Sequence, residues 1–148
     1  MVNSQTFVRD TLYFIKTDLL ANITDPISAS RPSNSKFILT EYPQRIAVYP
    51  IITIKIPNYV ANRAGMQVTN MDMQMTIEVR IWARNVKERD TLFTDVLNRL
   101  KDIQFTASGS TKAELHDFNM PSAVEINEEG DQGIKSKVME IIYNFYNI

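Results

Sequence analysis

The residues that could perform catalysis are few, and they do not form a known catalytic pattern. His116 is the single histidine, and Glu114 and Asp117 are its nearest acidic neighbours. No serine elbow or other nucleophile motif accompanies them. One histidine is also too few for a metal cluster built on several imidazoles. The pattern favours an incidental histidine, and we expect that the protein is not an enzyme.

Cysteine, glycine and methionine usage limits the remaining site chemistry. The chain has no cysteine, which excludes disulfides, thiol catalysis and cysteine-ligated zinc. Its four glycines match neither standard spacing of a phosphate-binding loop. Met71, Met73 and Met75 alternate with polar residues, which is typical of flexible core packing rather than of ligand binding. We therefore expect no metal ion and no other cofactor.

Length and charge restrict the class of protein. A chain of 148 residues fits a single domain spanning residues 1–148. Sixteen basic and seventeen acidic residues give a net charge of -1, which argues against general binding of duplex DNA. No secretory signal or run of membrane-spanning length is visible. With the lack of cysteine, these features predict a cytoplasmic product with no membrane partner.

The clearest structural signal is the stretch MDMQMTIEVRIWAR, residues 71–84. Apolar residues occupy the odd positions and polar residues the even ones, which predicts a long, half-buried central strand. Trp82 departs from this pattern because it shares the even-numbered face with the flanking arginines Arg80 and Arg84. Two interpretations remain open: Trp82 anchors a contact between subunits, or the segment 104–127 folds over it.

A first helix is predicted over residues 4–23. One apolar stripe of this helix suits a core, and two further ridges lie beside it. The ridges consist of Phe7 with Phe14 and of Tyr13 with Leu20. They are either buried within the domain or in contact with another subunit.

A second helix is predicted over residues 86–102, directly after the long strand. Its apolar residues fall on one side, which is typical of a helix that covers one face of a sheet. Asn85 is placed to cap its first turn, and Glu88 is placed to reach back toward Asn85.

The remaining elements follow from weaker patterns. Strands are favoured for KFILTEY, IAVYPIITIKI, SAVEI and the tail IKSKVMEIIYNFYNI. Because Pro50 lacks a backbone N–H, the second strand is an edge there or begins at Ile51. Exposed loops are predicted at residues 57–65 and 127–133. The order of elements predicts an α+β fold, a mostly antiparallel sheet with two helices packed on one face.

Assembly is the positive functional signal in the sequence. Trp82, the extra helix ridges and a last strand that is apolar on both faces exceed the apolar surface that a soluble 17.0 kDa monomer tolerates. We therefore predict a homo-oligomer. The candidate interface residues are Trp82, Phe7, Phe14, Tyr13, Leu20, Arg80 and Arg84.

In the order of these elements the chain resembles the tail terminator (tail completion) proteins of tailed bacteriophages. The matching pieces are FVRDTLYFIKTDLL, YPIITIKIP, MQMTIEVRIWARNVKERDTLFTDVLNRLKDI and SKVMEIIYNFYN. Residues 104–127 depart most from the pattern. The resemblance implies a ring of six copies that caps the tail tube protein and meets the head–tail connector or stopper. It implies a virion protein of the neck, assembled in the host cytoplasm.

A ring of this kind would surround passing DNA. Its candidate contacts with the lumen, the tube or the connector are the loop residues Arg63, Glu128, Glu129 and Asp131. Because the net charge is -1, we expect DNA to pass without specific binding. Two other functions stay open. One is another neck component, such as a head-completion or stopper protein, and the other is a small-molecule-binding α+β regulatory domain with a pocket beneath the methionine face.

Overall fold

Two helices and a five-stranded sheet make up the fold in a computed structural model, which describes residues 7–44, 47–63, 65–66, 71–103, 115–126 and 133–145. The strand order is β1-β2-β3-β5-β4, and every neighbouring pair is antiparallel except β1 and β2. This confirms the predicted α+β fold. The elements are α1 (Phe7–Asn22), β1 (Ile38–Leu39), β2 (Ile51–Arg63), β3 (Met71–Ala83), α2 (Val86–Ile103), β4 (His116–Ile126) and β5 (Lys135–Phe145).

The alternating stretch forms the middle strand, as predicted. The odd-numbered residues of β3 from Met73 to Ile81 are at most 8% exposed and point toward the helices. Their neighbours on β5 are also buried, because Ile141 lies opposite Ile77 and Tyr143 lies opposite Met75. One core therefore fills the space between the sheet and both helices. The even-numbered residues of β3 and their neighbours form the other face, which we term the open face.

The start of α2 follows directly from its sequence. The backbone N–H of Glu88 donates to Asn85 Oδ1 at 2.8 Å, so Asn85 caps the helix as predicted. The Glu88 carboxylate, however, accepts from the backbone N–H and the guanidinium of Arg84 rather than from Asn85. These hydrogen bonds hold the pKa of Glu88 below its usual value, although burial opposes them. The reach-back contact is thus displaced by one residue.

The two helices are joined to each other by a bidentate ion pair. Arg99 of α2 donates to both carboxylate oxygens of Asp18 on α1, at 2.6 and 2.7 Å. The pair raises the pKa of Arg99 above its ordinary value, mainly through this hydrogen bond. Beneath it, Ile15 and Leu19 of α1 are fully buried in the shared core. The core stripe predicted for the first helix is therefore confirmed.

The structure corrects three predicted segments. Residues 57–63, predicted as part of a loop, continue β2 and pair with β3 as far as Arg63. Pro57 is accommodated because the register shifts between Lys55 and Asn58, where the regular hydrogen-bond ladder is interrupted. The first predicted strand shrinks to Ile38–Leu39, and β4 extends well before SAVEI. Each difference arises from pairing with strands that are distant in sequence.

Candidate functional site

Trp82 lies on the open face and is covered by its own chain. Its side chain is 7% exposed. The Tyr42 ring lies 4.9 Å from the Trp82 ring between centroids, and the Arg80 guanidinium lies 4.6 Å from the Trp82 centroid. Arg80 is held there because its Nε donates to Ser136 Oγ at 2.9 Å. Trp82 therefore adds little to the apolar surface of the chain.

The burial of Trp82 bears on both interpretations of this residue. Tyr42 covers it from the segment between β1 and β2, whereas residues 104–114 and 127 of the segment predicted to fold over it lie outside the described residues. Tyr42 itself is 44% exposed and hydrogen-bonds to the Tyr49 hydroxyl. A contact between copies at this place would meet Tyr42 first, with Trp82 behind it. A role for Trp82 in assembly stays a prediction.

The segment that carries Tyr42 is fixed to the domain by a buried arginine. Arg31 donates to the carbonyl oxygens of Val48 and Pro50, each at 2.7 Å, and to the Asp25 carboxylate. Burial acts to raise the pKa of Asp25, but the hydrogen bonds from Arg31 and from the backbone of Ile27 outweigh it. The pKa of Asp25 is therefore lowered, and the ion pair stabilises the cover over Trp82.

The other predicted interface residues divide into exposed and packed side chains. Tyr13 and Leu20 are 57% and 51% exposed on α1, so this ridge is free to contact another molecule. Phe14 is half-buried and packs against the core. Arg84 is exposed, and its guanidinium forms an ion pair with the Glu88 carboxylate of α2. Phe7 begins α1, and its side chain lies outside the described residues.

The predicted loop contacts are only partly placed. Arg63 is the last residue of β2 and is exposed, so it belongs to a strand end rather than to a loop. Glu128, Glu129 and Asp131 lie outside the described residues, and so does the acidic turn that they form in the prediction.

Two of the three polar residues considered for catalysis, His116 and Asp117, lie at the start of β4, and the third, Glu114, lies outside the described residues. His116 is exposed at the start of β4, opposite Asn144 of β5. Asp117 accepts a hydrogen bond from the Asn144 amide at 3.2 Å. Within the described ranges, no group of three His, Cys, Asp or Glu side chains converges as a metal site. Among the same residues, neither helix has the length and hydropathy needed to cross a membrane.

A shallow cavity lies at the end of the open face near the tip of the β2–β3 hairpin. Its volume is about 240 Å³, below the range of about 300–1,000 Å³ that is usual for small-molecule sites. It is open to solvent, and its lining residues are Val60, Asn62, Asp72, Met73, Gln74 and Asn144. Met75, by contrast, is fully buried on the helix side. The cavity is therefore not the apolar pocket that the alternative of a small-molecule-binding domain places beneath the methionine face.

The sequence patterns did not reveal the two outer edges of the sheet. β1 pairs with β2 only at Ile52 and Thr53, so the rest of β2 has no described strand on its outer side. β4 forms the opposite edge. Tyr59, Val60 and Val124 on these two edge strands are 52%, 46% and 54% exposed. Exposed apolar residues on unpaired edge strands are typical of surfaces that pair with another chain.

The chain matches no family model and no curated protein sequence. The functional inference therefore depends on the fold, on its exposed surfaces and on the order of its elements.

Proposed function

We propose that the protein is a structural subunit of a tailed-phage virion. It forms a ring at the head–tail junction, caps the tail tube and joins the tube to the head connector. The observation that carries the proposal is the one-sided covering of the sheet. The helices cover one face, while the open face and both edges present side chains to the outside. The order of elements is also that of the tail terminator proteins which the sequence resembles.

The exposed apolar residues support assembly because they occupy separate sides of the domain. Tyr13 and Leu20 lie on α1, Tyr59 lies on the β2 edge, and Val124 lies on the β4 edge. A cyclic ring uses two different surfaces of each subunit, one toward each neighbour. A two-fold dimer would need only one of them. The distribution therefore favours a ring over a dimer.

The charges of the open face favour a surface that DNA passes without binding tightly. Its charges are mixed, and Lys55 Nζ lies 3.3 Å from Glu78 Oε1 in a cross-strand pair. Arg80 is engaged with Trp82 and Ser136, and Glu140 lies opposite Glu78 on the neighbouring strand. Tight binding of duplex DNA requires a surplus of basic groups that displace counterions. This face offers no such surplus among its described residues.

The first experiment measures assembly. Light scattering across a range of concentrations, with electron microscopy of the same samples, should show one discrete oligomer with a central hole. The purified protein is then mixed with tail tubes and, separately, with DNA-filled heads. Caps at one end of the tubes support a terminator, whereas binding only to heads indicates a head-completion or stopper protein. A monomer at every concentration, with no binding to either structure, would refute the proposal.

The second experiment addresses DNA. Duplex DNA titrated into the assembled protein at low salt should bind weakly, with a shallow dependence on salt. Submicromolar affinity with a steep salt slope would mean that many phosphates are contacted. The proposal that DNA passes without specific binding would then be wrong.

A further inference from the structure

The two edge strands are suited to pair with each other rather than with themselves. β2 carries Lys55 and Arg63 and no acidic residue. β4 carries Asp117 and Glu125 and no lysine or arginine. Two copies of β2 bring only basic side chains together and two copies of β4 bring only acidic ones, so the field of each like pair is repulsive. A β2 edge facing a β4 edge brings opposite charges together.

We propose that β2 of one copy pairs with β4 of the next, so that the sheets of neighbouring subunits become continuous. The proposal rests on the ring function proposed above. Strand direction agrees with it, because β2 and β5 run one way while β3 and β4 run the other. Rotation about an axis along the strands keeps these directions, so β4 meets the next β2 antiparallel. Such a head-to-tail contact closes into a ring when the rotation closes.

The faces of the side chains restrict the register of this pair. In an antiparallel ladder, residues directly opposite each other project from the same face of the sheet. In the part of β2 beyond the register shift, the residues of the open face, which lie opposite even-numbered residues of β3, are Asn58, Val60 and Asn62. On β4 the residues of the open face, identified through β5, are Ser122, Val124 and Ile126. A continuous sheet must place these two sets opposite each other.

One of the remaining registers pairs all three residues of each set and also keeps both prolines outside the paired segment. With Val60 opposite Val124, the paired segments are Asn58–Asn62 and Ser122–Ile126. Pro57 then bounds one end and Pro121 bounds the other, so neither proline has to donate a ladder hydrogen bond between them. The same segments are the regular parts of both strands, since the register shifts lie before Asn58 in β2 and before Ser122 in β4. The prolines therefore limit the contact to five residues on each strand.

Charge acts here through the strands as a whole. Glu125 already binds Arg89 of its own chain, with Oε1 2.8 Å from Nη2. Lys55 likewise lies beside Glu78. The attraction between the edges is therefore the field of two oppositely charged strands, and it weakens as salt rises. The apolar contact of Val60 with Val124 at the centre of the paired segment is not weakened by ionic screening.

Introduced cysteines test the pairing directly, because the chain has none of its own. Residues opposite each other in an antiparallel ladder have Cα atoms about 4.5–5.5 Å apart, within the range of a disulfide. Val60→Cys combined with Val124→Cys in the full chain should yield, on mild oxidation, a ladder of covalent multimers on a non-reducing gel. Each single variant should stop at a dimer. The control pair Thr76→Cys with Val124→Cys, whose first thiol lies on the central strand, should yield no ladder.

A mixing experiment gives a second, independent readout. Val60→Asp damages only the β2 edge, and Val124→Asp damages only the β4 edge. Both side chains are about half exposed, so each variant should keep the circular dichroism spectrum of the parent. Each variant alone should lose the ring, whereas an equimolar mixture should form a heterodimer through the two intact edges.

The outcomes separate this proposal from the ring function. Rings that form without a cysteine ladder, or rings formed by either aspartate variant alone, would overturn edge pairing and leave the ring function standing. A parent protein that stays monomeric at every concentration and binds neither tail tubes nor heads would overturn both.

Discussion

Replacing Trp82 with alanine should destabilise the folded chain itself. The side chain is 7% exposed and lies between Tyr42 and Arg80 on the open face. Truncation of a buried Phe or Trp to alanine costs about 3–5 kcal/mol in the free energy of unfolding. The ring pair with Tyr42 contributes about 0.5–1.5 kcal/mol beyond its buried area. The Arg80 contact adds about 0.5–2 kcal/mol as a cation–π interaction.

Urea unfolding followed by far-ultraviolet circular dichroism measures this loss. Trp82 is the single tryptophan, so its fluorescence reports unfolding only in variants that retain it. The measurement is made at one protein concentration whose oligomeric state is known from light scattering, since assembly adds to apparent stability. A double-mutant cycle of Tyr42→Ala with Trp82→Ala isolates the ring pair, and its coupling energy should fall at about 0.5–1.5 kcal/mol. Trp82→Phe, the matched control, retains an apolar ring and should cost less than alanine.

A small loss of unfolding free energy in Trp82→Ala would contradict this reasoning. A cost below about 1 kcal/mol for Trp82→Ala, typical of a surface substitution, would show that Tyr42 does not cover the ring in solution. If assembly then weakened by about 2 kcal/mol or more, Trp82 would be an interface hot spot.

Three further predictions concern polar groups inside the domain. Thr11 Oγ1 is buried and has no hydrogen-bond partner among the described residues, so Thr11→Val should raise the unfolding free energy by about 1 kcal/mol. A lower urea midpoint for this variant would contradict that. The lowered pKa of Asp25 means that its pair with Arg31 stabilises the fold above the unfolded-state pKa of about 3.9, and that this stability is lost as pH falls through the folded-state pKa. The unfolding free energy of the parent should therefore fall below about pH 4. Asp25→Asn should be less stable at neutral pH and should lose less unfolding free energy as the pH falls. Parallel curves of unfolding free energy against pH for the two proteins would refute this. Asp18→Asn removes the charge-assisted hydrogen bonds from Arg99 and should cost about 1–3 kcal/mol, and an unchanged midpoint would show that the helices do not depend on this pair.

The elements that could be predicted each have a periodic pattern of apolar and polar residues within one segment. β3 was predicted because burial on one face imposes strict alternation over residues 71–84. α2 was predicted because one apolar side and the Asn85 cap specify both its face and its start. These features are local, so a single segment contains the information that defines them.

The candidate site was predicted less completely because it joins distant segments. Tyr42 covers Trp82 across 40 positions of the sequence, and no periodicity connects them. Nor did the sequence show that Pro57 lies within β2, since the strand continues there only because β3 pairs with it beyond the register shift.

The sequence by itself therefore determined the central strand, the two helices that cover one face, and the apolar residues along these elements. Tertiary structure alone decided which of those residues remain exposed. Pairing order placed β4 at one edge of the sheet and, at the other, left the part of β2 beyond β1 without a described strand on its outer side, so Val60 and Val124 remain accessible. Burial is a property of all neighbours together, and those neighbours are fixed only when the strands have paired.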